Sequence, residues 1–427
     1  MRAAFYECDV TPPLGGYVPG HYRDIRAVDV ADRLYAKALV LEDSGCVAAI
    51  VCVDAEVIPK EMHEVVTKRI EEYTGIKPQN VCICANHTHA GVPIISNPDI
   101  GCFADESYKD VFMRLSADAV ILAYKRLDKA SAKFGNTEVC GFAYNRTFIL
   151  DDGTYVTHGR GKTNIKDVFG KLDSELGVLM IERDGTPLGA VINYSCHLCC
   201  MGNGCDHYSG DYSSVISKKL KEKYGNDFVS LFITGCCGDV NHVNPDINVE
   251  IPDDAYIQIG ETLAEGALKA LKNAKDTTGA VKAIKKAVAI KKRVPDNDYL
   301  KKKVSDYLEM NNFTRMRNLL YYTGANKTDE EVVFVGAIAV GDTCIYCLPG
   351  EIFAETGLKV KENSPYKYNM VSELCNTETG YIAPKRAFGE HDNLYETSLC
   401  FHSYFVSEAE DILIDTAKEI AEKIYKL

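Results

Sequence analysis

The chain has 427 residues, 46% of them hydrophobic and 26% charged, with a net charge of −13 and a pI near 5.3. These values describe a folded globular protein with room for a large core and for up to two or three domains. The acidic balance excludes a general nucleic-acid or anionic-membrane binder, whose affinity comes from clustered Lys and Arg.

The N-terminus, Met1 to Asp9, has no apolar h-region, and the run Val47 to Val57 is broken by Asp54 and too short to span a bilayer. A cytoplasmic protein without stable membrane association is therefore expected. The seventeen cysteines are odd in number and fall in strand-like apolar runs as often as in loops. That distribution fits reduced thiols, mostly small core residues, better than a disulfide framework.

In chain order, residues 36–42 and 47–54 read as two strands joined at Asp43-Ser44-Gly45, and a helix from Pro59 to Tyr73 stops at Gly75. A strand over 80–85 leads into Asn86-His87-Thr88-His89-Ala90-Gly91, and helical spacing follows over 106–127. Leu176–Glu182 and Leu188–Tyr194 flank Asp184-Gly185 as a hairpin. A helix over 212–224 precedes the strand Phe228–Ile233. Helices are expected over 253–274, 297–321 and 351–363, with strands at 332–340 and 343–347, and an amphipathic helix over 407–427. The pattern indicates an α/β fold, with mixed β-sheets flanked by helices and the active site at the carboxyl ends of strands. It reads as a single domain over 1–427. The lysine-rich run 282–293 and the charged helix after it suggest a flap or subdomain over 280–330.

Four strand ends share one design, an apolar run followed by a tight turn and polar residues. They carry His87, His197, Glu351 at the opening of a helix, and Tyr381. If these strands are neighbours, two imidazoles and a carboxylate converge, a known arrangement for catalytic zinc with an open position for water. Tyr381 is either a fourth ligand or a hydrogen-bond donor beside the metal, because a phenol ligates only with the cation's help. A fifth strand end, Thr234 to Asn241, has glycines that let backbone N–H groups approach a ligand or a developing oxyanion.

The chain resembles the neutral/alkaline ceramidase N-terminal domain family over nearly its whole length. The resemblance rests on Asp9 to Gly15, the HTHAG loop, Asn145-Arg146, Cys196-His197 and Ser209-Gly210-Asp211. It continues with Gly238 to Asn241, Leu348-Pro349-Gly350-Glu351, Gly380-Tyr381 and Tyr395-Glu396. Each motif is short, but their joint order is specific. The resemblance implies one zinc ion per chain, ligated by His87, His197, Glu351 and Tyr381. It places His89, Arg146 and Tyr395 against the reacting head group, with Asn241 in the catalytic set and Asn145, Gly238 and Asp239 in substrate binding. The implied reaction is hydrolysis of an amide, in which the metal lowers the pKa of water and polarises the carbonyl while a histidine relays the proton.

Ceramidases proper have a serine where this chain has Asn241, so a mechanism needing that hydroxyl does not transfer, and His242 stands where proline is usual. No C-terminal β domain is expected after the last helix. The expected substrate is therefore a small or soluble molecule with an amide-type bond rather than membrane ceramide. An ester or lactone is the alternative, and a homo-oligomer is compatible with the chain's size.

Several of these residues have simpler readings. Arg146 could pair with a carboxylate, Asp211 sits where a helix N-cap would be, Asp239 lies in a tight turn, and Asn241 could brace that turn. Cys196, Cys199, Cys200, Cys205, Cys236 and Cys237 raise a reading of another class, a non-hydrolytic metal-binding or redox protein. The pocket lining depends on the loops 98–105, 203–208 and 385–394.

Overall fold

The computed structural model describes residues 1–21, 23–96, 102–201, 204–325, 328–377, 379–389 and 394–426. Parts of the three pocket loops, 98–101, 203 and 390–393, lie outside the described residues.

Alternation along the strands builds the layers. In Tyr35–Asp43, Ala36, Ala38 and Val40 face one core, whereas Leu39 and Leu41 face another. Cys46–Val53 divides in the same way, with Ala49, Val51 and Val53 on one side and Ile50 and Cys52 on the other. Both faces are covered, which is why these strands read as continuous apolar runs. The first core is capped by helices α1 (Lys60–Thr74) and α2 (Glu106–Lys125). The second is shared with a sheet containing Glu175–Arg183 and Thr186–Tyr194. That sheet turns Leu179, Ile181 and Val191 inward and Val178, Met180 and Ile192 outward onto α3 (Tyr212–Tyr224) and α4 (Ala255–Lys272). The result is a helix–sheet–sheet–helix stack.

A four-stranded sheet closes the side of the inner core. Its strands are Val281–Lys291, Glu330–Val340, Thr343–Cys347 and Tyr368–Ser372, in that order. Between the first two strands the chain makes a helical hairpin, α5 (Asn297–Glu309) and α6 (Phe313–Ala325). The single expected helix over 297–321 is thus two. Asn311 turns the chain at φ +52°, and the Asn312 side chain accepts from the Arg315 N–H to start the second helix. Helices α7 (Ala354–Glu362) and α8 (Ala409–Tyr425) cover the outer face.

Both tight hairpins are as the sequence expects, with Ser44-Gly45 and Asp184-Gly185 at positive φ throughout. Asp211 is the N-cap of α3. All seventeen cysteines are free. No helix among the described residues is long and apolar enough to cross a membrane.

Each of the three large sheets has its one long parallel pair at an edge. These are Val81–Ala85 with Cys46–Val53, Thr186–Tyr194 with Val229–Thr234, and Thr343–Cys347 with Tyr368–Ser372. The three edges pack together, with Val229–Thr234 touching strands of both other sheets. Their carboxyl ends therefore open into one shared region.

The inner core sets the stability of this arrangement. Leu39→Ala, at a fully buried position between the sheets, should cost about 3 kcal/mol in urea unfolding. Leu14→Ala, at a position 56% exposed, should stay within about 0.5 kcal/mol. Equal effects would mean that the layers are assigned wrongly.

Candidate active site

The HTH loop leaves the strand Val81–Ala85 with His87 at φ +69°, a left-handed conformation that costs a non-glycine residue on the order of 1–2 kcal/mol. Its N–H donates to Ala55 O, and its Nδ1 donates to Glu56 O at 2.8 Å. That fixes the tautomer and aims Nε2 inward. His197 follows Thr186–Tyr194 and repeats the device, its Nδ1 donating to Cys237 O at 2.8 Å and approaching Val240 O at 3.1 Å.

Both Nε2 atoms point at one carboxylate oxygen. Glu351 Oε2 lies 3.4 Å from His87 Nε2 and 3.4 Å from His197 Nε2, is buried, and has no hydrogen-bond partner among the described residues. Glu351 does not open a helix, as the sequence suggests. It sits in the two-residue strand Glu351–Ile352, paired parallel with Tyr381–Ile382, and α7 begins at Ala354 behind the cap Phe353. The pairing places Tyr381 beside Glu351, close enough for their side chains to hydrogen-bond. Gly380 makes this possible. It holds φ +64°, and a Cβ there would stand 2.2 Å from His402 O.

His89 completes a cluster of three imidazoles whose ring nitrogens lie within 4.8 Å of one another. Its Nε2 is 3.5 Å from His87 Nε2, and its Nδ1 donates to Gly20 O at 3.1 Å. Gly20 has φ +81°, and any Cβ there would strike the His89 ring at 2.5 Å. On geometry alone, His89 is as able to ligate as the other two.

Arg146 lies across the far side. Its Nε donates to Glu396 Oε1 at 2.8 Å, and its Nη2 donates to Gly238 O at 2.7 Å and Tyr381 OH at 3.0 Å. Its Nη1 is 3.4 Å from His197 Nε2. The Tyr395 ring stands edge-on to Tyr381 at 5.5 Å and lies 4.6 Å from His402, forming an aromatic wall.

The other expected substrate contacts are used internally. Asn145 Nδ2 donates to Asp239 Oδ2 at 2.6 Å, and Asn145 Oδ1 accepts from Thr147. Asp239 Oδ1 accepts from the Ala354 N–H at the start of α7, and the Gly238 N–H donates to Ile352 O. These three residues tie the Gly238–Asn241 turn to the segment bearing Glu351. The Asn241 side chain accepts from the Val243 N–H.

Electrostatically, the meeting point of His87, His197 and Glu351 favours positive charge. Burial works against the charged form of His87, but Glu351 overrides it and raises the imidazole to about 9. Burial also opposes ionisation of Glu351, yet the facing imidazoles hold it well below the usual carboxylate range. Burial, Arg146 and His87 together push His197 down to about 3. Burial and the two other imidazoles keep His89 well below its ordinary value, hence neutral. A buried carboxylate oxygen without a hydrogen bond, facing two imidazole Nε2 atoms whose Nδ1 atoms are held by carbonyls, is a donor set that fits a divalent cation such as zinc once the His87 proton is displaced.

Sequence reasoning assigned no role to Glu396, Glu56, Glu373 or His402. Glu396 is fully buried and anchors Arg146, and Glu373 accepts from the Ile352 N–H and is raised to about 8 by burial. Only the Tyr395-Glu396 dipeptide hinted at the first of these. The cysteines near His197 form no ligand group among the described residues. A different set, Cys82, Cys347 and Cys375, does.

The family profile described as neutral/alkaline non-lysosomal ceramidase, N-terminal, matches residues 16–255. That is more than half of the chain and includes all three clustered histidines and Arg146, whereas Glu351, Tyr381 and Tyr395 lie beyond it. The neutral ceramidase of Pseudomonas aeruginosa superposes with a TM-score of 0.76 at 17% identity, over 99% of this chain and 75% of that one. A ceramidase complexed with C2 superposes with the same score and coverage at 15% identity. These likenesses establish a shared fold. No curated protein matches. On the strength of the profile match, the chain belongs to the neutral/alkaline non-lysosomal ceramidase family.

Proposed function

We propose that the protein is a zinc-dependent hydrolase cleaving the C–N bond of an amide in a small or soluble substrate. The observation carrying this reading is the approach of two imidazole Nε2 atoms, each at 3.4 Å, to one buried carboxylate oxygen that makes no hydrogen bond among the described residues. His87, His197 and Glu351 would hold the metal, with Tyr381 as the fourth protein group. Bound there, zinc would supply a Lewis acid that polarises the amide carbonyl and makes water more acidic.

The chain's own residues do the rest. The carbonyls of Glu56 and Cys237 hold His87 and His197 in the Nδ1–H tautomer, leaving Nε2 as the ligand atom. His89, neutral and with its Nδ1–H spent on Gly20 O, has Nε2 ready to take a proton from the attacking water. The same nitrogen then returns the proton to the departing amine, which would otherwise leave as an unstable anion. Arg146 is fixed by Glu396 and Gly238 O, so its guanidinium can stabilise negative charge on the substrate oxygen without reorganising. Tyr381, Tyr395 and His402 offer an aromatic wall for the apolar part of the substrate.

Removing histidines separates the roles. His87→Ala and His197→Ala should each abolish zinc binding at this site, read by elemental analysis. His89→Ala should keep it while losing about 10²- to 10⁴-fold in turnover. Turnover is read on a panel of short-acyl amides, esters and lactones, with amides expected to be the best substrates. If His89→Ala also strips the metal, the three imidazoles form the ligand set instead; turnover of esters or lactones alone would refute the amide assignment.

Metal uptake should depend on pH with a defined sign. With His87 raised to about 9, a metal ion must displace its proton below that pH. Zinc affinity should therefore rise by about tenfold per pH unit from pH 6 to 9 and flatten above, as followed by competition with a chelator. A flat profile across that range would contradict ligation by His87.

A further inference from the structure

The inner core holds a second group of potential ligands. Cys82 lies in the strand Val81–Ala85, Cys347 ends the strand Thr343–Cys347, and Cys375 follows the strand Tyr368–Ser372. All three are buried, and their sulfurs lie within 4.8 Å of one another. Cysteine is often buried singly as a small apolar residue. Here three thiols from remote segments converge. The backbone enforces it: Asn376 N donates to Ile83 O at 2.7 Å, Cys375 N to Leu348 O at 2.9 Å, and Cys375 bridges to Cys84.

A cation belongs beside them. Lys285 reaches in from Val281–Lys291, its Nζ donating to Val81 O at 2.8 Å, next to Cys82, and to His63 Nε2 at 2.9 Å; burial lowers its ammonium to about 8, which leaves it charged at neutral pH. That gives a neutral charge sum: three thiolates on a divalent ion leave one negative charge, which the Lys285 ammonium cancels. A monovalent ion would leave the cluster negative, an expensive state in an apolar core. Sulfurs bound to zinc at about 2.3 Å stand roughly 3.8–4.0 Å apart, so a contraction of about 1 Å or less would close the ring.

We propose that Cys82, Cys347 and Cys375 form a buried thiolate site for a zinc ion, distinct from the histidine site, with Cys84 bridged to Cys375 beside it. Binding releases the protons of those sulfurs still present as thiols to solvent and involves no change of oxidation state. The ion ties together the strand leading to the HTH loop, the strand leading to Glu351 and the segment leading to Tyr381. It is a structural clamp behind the active site.

The test uses the full chain, purified under reducing conditions after growth with zinc. Wild type should carry about two zinc ions, and the His87→Ala/His197→Ala chain about one. After exchange with Co2+, that histidine variant should retain a sulfur-to-cobalt charge-transfer band, and Cys347→Ser and Cys375→Ser should lose it. A metal-free histidine variant with freely reactive thiols would overturn the proposal, even if the cysteine variants fail to fold. So would a disulfide among these cysteines in place of metal. A single zinc in wild type that survives in the histidine variant and vanishes in Cys347→Ser would instead refute the histidine site and leave this one standing.

Discussion

The Glu351 carboxylate, turned between two imidazoles and away from water, is the contact on which the site depends. Removing an ionised carboxylate from solvent costs several kcal/mol unless positive charge meets it. Here His87 is driven toward its protonated form, while Arg146 adds its charge from the other side of His197. Each element around the pair serves to keep it facing inward. His87 accepts a strained backbone for this purpose, and Glu351 is threaded into a parallel bridge with Tyr381 rather than left on a mobile helix end.

The scaffold explains why such a contact can be held. Three sheets each end in a parallel edge pair, and only the carboxyl ends of such pairs carry loops free to turn toward one another. The loops are cross-braced. His89 N donates to Leu198 O, joining the first loop to the second, and Asp239 caps α7, joining the second to the third. Arg146 adds a longer tie through Glu396, which is buried and also accepts from Thr157. A site assembled in this way is braced around its charged centre, the preorganisation that the proposed hydrolysis requires.

Local signals in the sequence carried much of this. Alternation with two covered faces marked the strands, Ser44-Gly45 and Asp184-Gly185 marked the hairpins, and the histidines at strand ends marked two sides of the site. What sequence could not carry was non-local. Arg146 and Glu396 are 250 positions apart, and nothing near either one predicts the pairing. The bond between Asn145 and Asp239, 94 positions apart, is likewise invisible in one dimension. Glu351 read as the opening of a helix, but pairing with Tyr381–Ile382 won over local propensity. Apolar spacing continued through Asn311-Asn312, which hid the break between α5 and α6. The cysteines clustered in sequence near His197 drew attention from those clustered in space.

Family membership indicates the broad chemistry, and in the proposed function the residues around Glu351 carry it out. The claim that matters most is that one metal ion sits where His87, His197 and Glu351 meet. Anomalous diffraction from zinc-loaded crystals, collected on both sides of the zinc absorption edge, tests it most directly. A peak about 2.0–2.2 Å from His87 Nε2, His197 Nε2 and Glu351 Oε2 is the result expected. A peak bound by His89 in place of Glu351, or none within reach of these three residues, would contradict the account.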